Sequence, residues 1–176
     1  MANYLRTDDF QVGWICAVQT EYVVACELLD EEYPALPVNS AHDDNTYTFG
    51  RISQHNIVIA CLTKGKYGVT SAASVAKDIL RSFPSVRFGL MVGIAGGAPS
   101  KKHNIRLGDV VVSLPIGRTG GVIHYEFGKT IQNQRLEWTG ALNAPPMMLL
   151  TALNAISARH ERKGHRIAET VQGMVE

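Results

Sequence analysis

Three stretches of this chain end an apolar run with residues suited to holding a small polar ligand. Gly93-Ile94-Ala95-Gly96-Gly97 follows Phe88, Leu90, Met91 and Val92. Glycines reach backbone angles that other residues resist, and they let a flat or charged ligand approach the main chain. A tight turn between strand and loop fits the same letters. Gly65-Lys66-Tyr67-Gly68 closes a second run, with Thr70 and Ser71 just beyond. Glycine loops and the free amides of a helix N-terminus form anion sites. Ser71 could donate its hydroxyl to a phosphate or sugar oxygen, or cap its helix. Glu21 follows the third run, Val12 to Val18. It suits a general base or a ligand for ribose hydroxyls. It equally suits a first-turn carboxylate matched to the helix dipole.

Other candidates carry less. Lys64 and Lys66 could meet an anion but also suit solvated surface. Gly65-Lys66-Tyr67-Gly68 is not the phosphate loop of NTPases, because no Gly-Lys-Ser/Thr ends it. Asp109 follows a glycine and reads as a turn cap. His124 and Glu126 alternate with Ile123 and Tyr125 and so share a strand face, but no third ligand accompanies them and no metal site is expected.

The elements that must position these residues follow from patterning. Val12 to Val18 is apolar throughout, as a central buried strand is. Gln19 to Glu32 switches to helical spacing, and Pro34 and Pro37 close the unit. Tyr47 to Ile52 and Asn56 to Leu62 read as a hairpin joined by Ser53-Gln54-His55. Val69 to Ser82 reads as a helix whose small residues Ala72, Ala73 and Ala76 suit close packing on a sheet, and Pro84 stops it. Arg87 to Val92 reads as the next strand, Val110 to Leu114 as another, and Val122 to Phe127 as a further one. Pro145-Pro146 opens a helix reaching about Glu161, since proline favours the first helical position. The last fifteen residues are weakly patterned. Strands alternating with helices predict an α/β layer fold with a largely parallel or mixed sheet. In such sheets, ligands bind just past the carboxyl ends of strands.

At 176 residues the chain is most simply one domain. An apolar content of 45% and a charged fraction of 19% are ordinary for a globular protein. A net charge of +1 offers no polyelectrolyte signal, so no nucleic-acid partner is expected. The basic residues of Lys101-Lys102-His103 and of Arg159 to Arg166 read as solvated surface. Cys16, Cys26 and Cys61 are an odd number and have no zinc spacing. They read as buried free thiols of a reducing compartment. Met1 to Phe10 is polar and unlike a signal peptide. No apolar run approaches a membrane span. The expected location is therefore cytoplasmic, without a membrane partner.

Taken in order, four segments resemble the nucleoside phosphorylase and nucleosidase superfamily, which includes purine nucleoside and uridine phosphorylases and methylthioadenosine/S-adenosylhomocysteine nucleosidases. Val12-Gly13-Trp14-Ile15-Cys16-Ala17-Val18-Gln19-Thr20-Glu21 is similar to its first strand and helix start. Leu62 to Ala73 is similar to its phosphate-side loop. Gly89 to Gly97 is similar to its fourth strand and base-side loop. Leu107-Gly108-Asp109-Val110-Val111-Val112-Ser113 is similar to the strand that follows. Gly121 to Lys129 resembles a segment of the fungal nucleoside-phosphorylase-like modules, which often stand at the N-terminus of larger receptors.

This resemblance implies a three-layer phosphorylase/hydrolase-like α/β fold, with a mixed central sheet flanked by helices. It implies cleavage of the N-glycosidic bond of a nucleoside, a purine nucleoside first, by phosphate or water. It makes Glu21 the catalytic carboxylate that activates water. It makes Ser71 a phosphate contact beside Gly65 and Gly68, and makes Ile94, Ala95, Gly96 and Gly97 the lining of the nucleoside pocket. No cofactor or metal is implied, only phosphate as co-substrate. Homo-oligomers are among the assemblies it allows. The match covers roughly residues 10–160. The family's Gly-Asp-Pro-x-Arg phosphate motif, its Glu-Met-Glu-like ribose segment and its late aspartate are not found. Residues 1–176 are therefore expected to form a single partial domain, incomplete at the C-terminus, whose cleavage rate falls about 100-fold or more without the acid. The alternative expectation is a non-catalytic nucleoside-sensing or signalling module of a larger receptor.

Overall fold

The computed structural model describes residues 5–38, 42–101, 103–131 and 135–175. The chain falls into two compact units, one of Met1–Gly96 with Met174–Glu176 and the other Gly97–Gly173.

The first unit is built on a five-stranded mixed sheet. Its strands are β1 (Val12–Cys16), β2 (Glu31–Tyr33), β3 (Tyr47–Ile52), β4 (His55–Cys61) and β5 (Phe88–Met91), in the spatial order β2-β3-β4-β1-β5. β1 is parallel to both neighbours, with Cys16 opposite Cys61 on β4 and Ile15 opposite Met91 on β5. The β3–β4 hairpin and the β2–β3 pair are antiparallel. Helices α1 (Gln19–Glu27) and α2 (Val69–Ser82) cover the two faces. The α/β architecture with a mixed sheet between helices is thus the one expected.

Period-two alternation sorts the strand residues between the helices. Val12, Cys16, Ile57 and Ile59 pack with Ala25 of α1, and Trp14, Tyr22 and Cys26 join them. Ile15, Val58 and Ala60 point the other way, to Val75 and Ile79 of α2 and to Phe10, Phe49 and Phe83. The aromatic rings meet at centroid distances of 5.2 Å (Phe10–Phe49) and 5.8 Å (Phe10–Phe83), with Tyr47 5.0 Å from Phe83. Because β1 and β4 are buried on both faces, they read as unbroken apolar runs. α2 lies close: a Cβ on Gly13 would stand 3.2 Å from Ile79 Cγ2.

The first helix is shorter than its spacing predicts. It stops at Glu27, Leu28 forms the C-cap, and Asp30 N donates to Arg51 O at 2.8 Å, starting β2. A three-residue edge strand carrying Glu31 and Glu32 has too little apolar alternation to be read from sequence.

In the second unit, β6 (Ile123–Ile131) and β7 (Arg135–Ala141) form an antiparallel pair. Helices α3 (Met147–Lys163) and α4 (Ile167–Val175) follow. Val110 to Leu114 is not the expected strand. It joins no ladder among the described residues, and Val110, Val111, Val112 and Leu114 are exposed. Apolar letters report a demand for burial, and a strand also needs a hydrogen-bonded neighbour. Asp109 does cap its turn, its Oδ2 accepting from Arg106 N at 2.9 Å. Lys102 and the side chain of Glu126 lie outside the described residues.

Candidate functional site

Parallel pairing brings the carboxyl ends of β4, β1 and β5 to one edge of the sheet, side by side in that order. The ladders continue one residue past the strands: Leu62 N donates to Cys16 O at 2.9 Å, and Val92 N donates to Ile15 O at 3.1 Å. The three segments carrying candidate residues therefore leave from one edge.

Glu21 stands at the third position of α1, whose N-cap is Val18. From there its side chain reaches back over the strand end. Oε2 accepts the N–H of Ala17 at 2.7 Å and of Val18 at 3.1 Å. This is the carboxylate half of a capping box; valine has no side-chain acceptor for the other half. Oε1 accepts the N–H of Ile94 at 2.8 Å. One carboxylate thus joins the tips of β1 and β5. Desolvation pushes the Glu21 carboxyl up, but the backbone donors of Ile94, Ala17 and Val18 outweigh it and hold it below the ordinary range. It is an ionised acceptor at neutral pH. Two carboxylate oxygens offer about four acceptor positions; among the described residues three are taken, leaving one on Oε1.

Ala95 and Gly96 continue this loop and are exposed with Ile94. A Cβ on Gly96 would meet nothing within 4 Å, so its backbone is open to approach. Gly97 opens the second unit, where a Cβ would lie 2.9 Å from Ile105 Cγ2.

Beyond β4, Lys66 N donates to Thr63 O at 2.9 Å, and Gly65 and Gly68 hold φ of 82° and 97°. Such angles favour glycine on conformational grounds alone. Gly68 is the N-cap of α2, with no side-chain cap. The cap alternative for Ser71 therefore falls away. It occupies the third helical position, half-buried, and its hydroxyl has no hydrogen-bond partner among the described residues. Gly65, Gly68 and Ser71 share the sheet edge with Glu21 but make no hydrogen bond to it or to the glycine loop among the described residues.

Two features escaped the sequence. Cys16 and Cys61 stand opposite each other at the strand ends, within electrostatic reach of Glu21. Burial, then Cys61 and Glu21, push the Cys16 thiol up to about 12, and burial also raises Cys61 and Cys26. Cys16 is buried as expected, whereas Cys26 and Cys61 are only half-buried; all three are free, neutral thiols and poor nucleophiles at pH 7. Gly93 is the second feature: a Cβ there would stand 2.6 Å from Glu21 Oε1. Its glycine was legible, but its partner in space was not. Among the described residues, no group of three His, Cys, Asp or Glu is placed to hold a metal, and no helix is long and apolar enough to cross a membrane.

No protein-family model matches the chain. A nucleotide-binding leucine-rich repeat (NLR)-like protein of the fungus Hyaloscypha variabilis is 45% identical over 167 residues; these take in 95% of this chain but 16% of that protein, so the chain spans about one sixth of the relative's length. Among solved structures, futalosine hydrolase of Helicobacter pylori aligns with a TM-score of 0.40 and 20% identity over 50% of this chain and 34% of the hydrolase.

Proposed function

We propose that the first unit binds a nucleoside at the carboxyl edge of β4, β1 and β5, and that its chemistry is cleavage of the N-glycosidic bond. The observation carrying this reading is the Glu21 carboxylate, held ionised and tied at 2.8 Å to the backbone of the glycine loop at Ile94. The sugar lies over Glu21, and Ile94, Ala95 and Gly96 line the nucleoside. The one free acceptor position on Oε1 takes a single water or ribose hydroxyl, not a pair of hydroxyls. A water held there bonds through its oxygen to the anomeric carbon and gives its proton to Glu21 as the bond to the base breaks; the base leaves with the bonding pair and takes a proton from solvent, while the negative charge favours the oxocarbenium character of the transition state. The Gly65–Gly68 turn and Ser71 at the α2 N-terminus supply the phosphate side, if phosphate is the attacking group.

The test is release of free base from adenosine, inosine, guanosine, uridine and methylthioadenosine, with and without phosphate. Base release that Glu21→Gln abolishes supports the reading. Release unchanged in that variant removes Glu21 from the mechanism.

The name and length of the fungal relative support a second reading, in which the chain is a nucleoside-sensing module of a larger receptor. Saturable nucleoside binding without base release would favour it.

A further inference from the structure

Gly93 is a glycine that its own backbone does not require. Its φ lies outside the left-handed region occupied by Gly65 and Gly68. What excludes a side chain is Glu21: a Cβ at position 93 would stand 2.6 Å from Oε1, 2.9 Å from the carboxyl carbon and 3.1 Å from Oε2. No other atom is nearer to it than these three. The carboxylate in turn holds the next residue, Ile94, by its N–H.

We propose that Glu21 is the positioning residue of the 92–96 loop, and that Gly93 is glycine in order to admit its carboxylate. The carboxylate ties the β5 tip to the β1–α1 turn by three backbone donors from two segments. Ile94 is 76% exposed, so side-chain packing does not set the path of this segment. The ladder bond from Val92 N to Ile15 O holds the start of the loop; beyond it, the loop's register over the sheet edge is set by one ionised side chain. Alanine at 93 is compatible with the backbone, but it pushes the flexible carboxylate off Ile94 N and frees the loop. In the nucleoside reading this loop lines the ligand, and the inference rests on that reading only for its functional consequence.

The test uses the full 176-residue chain and needs no ligand. Gly93→Ala is expected to lower Tm by about 3 °C, and Glu21→Ala by a similar amount. The double variant should melt no lower than Glu21→Ala, because the obstruction is gone. An equal cost of Gly93→Ala in both backgrounds overturns the proposal, since uncoupled sites add. In the unaltered chain labelled with ¹⁵N, the amide resonances of Ala17, Val18 and Ile94 should shift together on acidification. Their common midpoint should lie below the ordinary glutamate range, and Glu21→Gln should abolish all three shifts. Cys16 and Cys61 also lie within electrostatic reach of Glu21, and both thiols are neutral there. An Ile94 resonance that stays still while Ala17 and Val18 move overturns the clamp. A chain that passes these tests but releases no base retains the clamp and loses only the catalytic reading.

Discussion

Replacing Glu21 by glutamine keeps the shape of the side chain and removes one acceptor. In the better amide orientation, oxygen still takes the N–H groups of Ala17 and Val18. The amide nitrogen then faces Ile94 N, which lies 2.8 Å from Oε1 in the native chain. Donor opposes donor, and the loop must move away. A hydrogen bond to a charged acceptor contributes about 1.5–3 kcal/mol when shielded. Partial exposure of Glu21 reduces that to about 1 kcal/mol, since solvent screens and competes. For a chain of this length the loss corresponds to roughly 2–4 °C in Tm. The pH dependence supplies the stronger check. The folded chain holds this carboxyl below its unfolded value. Its contribution is therefore fully present above the unfolded pKa and is lost as pH falls through the folded one. Urea denaturation of native and Glu21→Gln chains should show a gap at pH 7 that closes as the solution is taken below the ordinary glutamate range. A gap that persists unchanged in acid, or no gap at pH 7, would refute the assignment of three backbone donors to an ionised Glu21.

The Asp43 carboxylate gathers donors from Asn45 N at 3.0 Å, Tyr47 Oη at 2.8 Å and the buried Ser82 Oγ. Asp43→Ala leaves these unsatisfied and should cost about 1–3 kcal/mol in urea denaturation. Burial raises this carboxyl, but Ser82, Asn45, Tyr47 and Arg81 together hold it below the usual range, so the difference should shrink as acid protonates it. Ser71→Ala should leave stability within about 0.5 kcal/mol, because its hydroxyl has no partner among the described residues. The same variant should weaken phosphate-dependent base release. Equal base release by native and Ser71→Ala chains at limiting phosphate would remove that serine from the site.

The legible part of the fold is the part in which one strand's burial is two-sided. β1 and β4 announce themselves within the runs Val12 to Val18 and Asn56 to Leu62, because each packs against a helix on either face; β5, read within Arg87 to Val92, is an edge strand in which half-buried Phe88 and Leu90 alternate with exposed residues. α2 is equally plain, its buried Val75, Ile79 and Ser82 falling on one stripe. β2 is invisible for the opposite reason. It is three residues at the sheet edge, two of them exposed glutamates, and only its pairing with Phe49 to Arg51 makes it a strand. The β7 strand, Arg135–Ala141, is likewise defined by its partner β6 and not by its letters. Val110 to Leu114 shows the converse: ideal strand letters without a ladder among the described residues.

The same division holds at the candidate site. Glu21 could be placed from sequence, since a carboxylate three positions into a helix after a buried strand has few places to go. Its tie to Ile94 could not, because 73 residues separate them and nothing in either segment names the other. Gly93 carried the trace of that tie in a form easily misread. Glycine in a loop ordinarily signals an unusual backbone angle, as it does at Gly65 and Gly68. At Gly93 the angle is ordinary and the signal is steric, the imprint of another residue's carboxylate. Parallel pairing through the central β1 makes this encounter obligatory. With Ile15 in register with Met91, the residues just past β5 must run beside the β1–α1 turn. A side chain reaching back from the first turn of α1 then finds them. The topology brings the two tips together, and Glu21 joins the amides of one to those of the other.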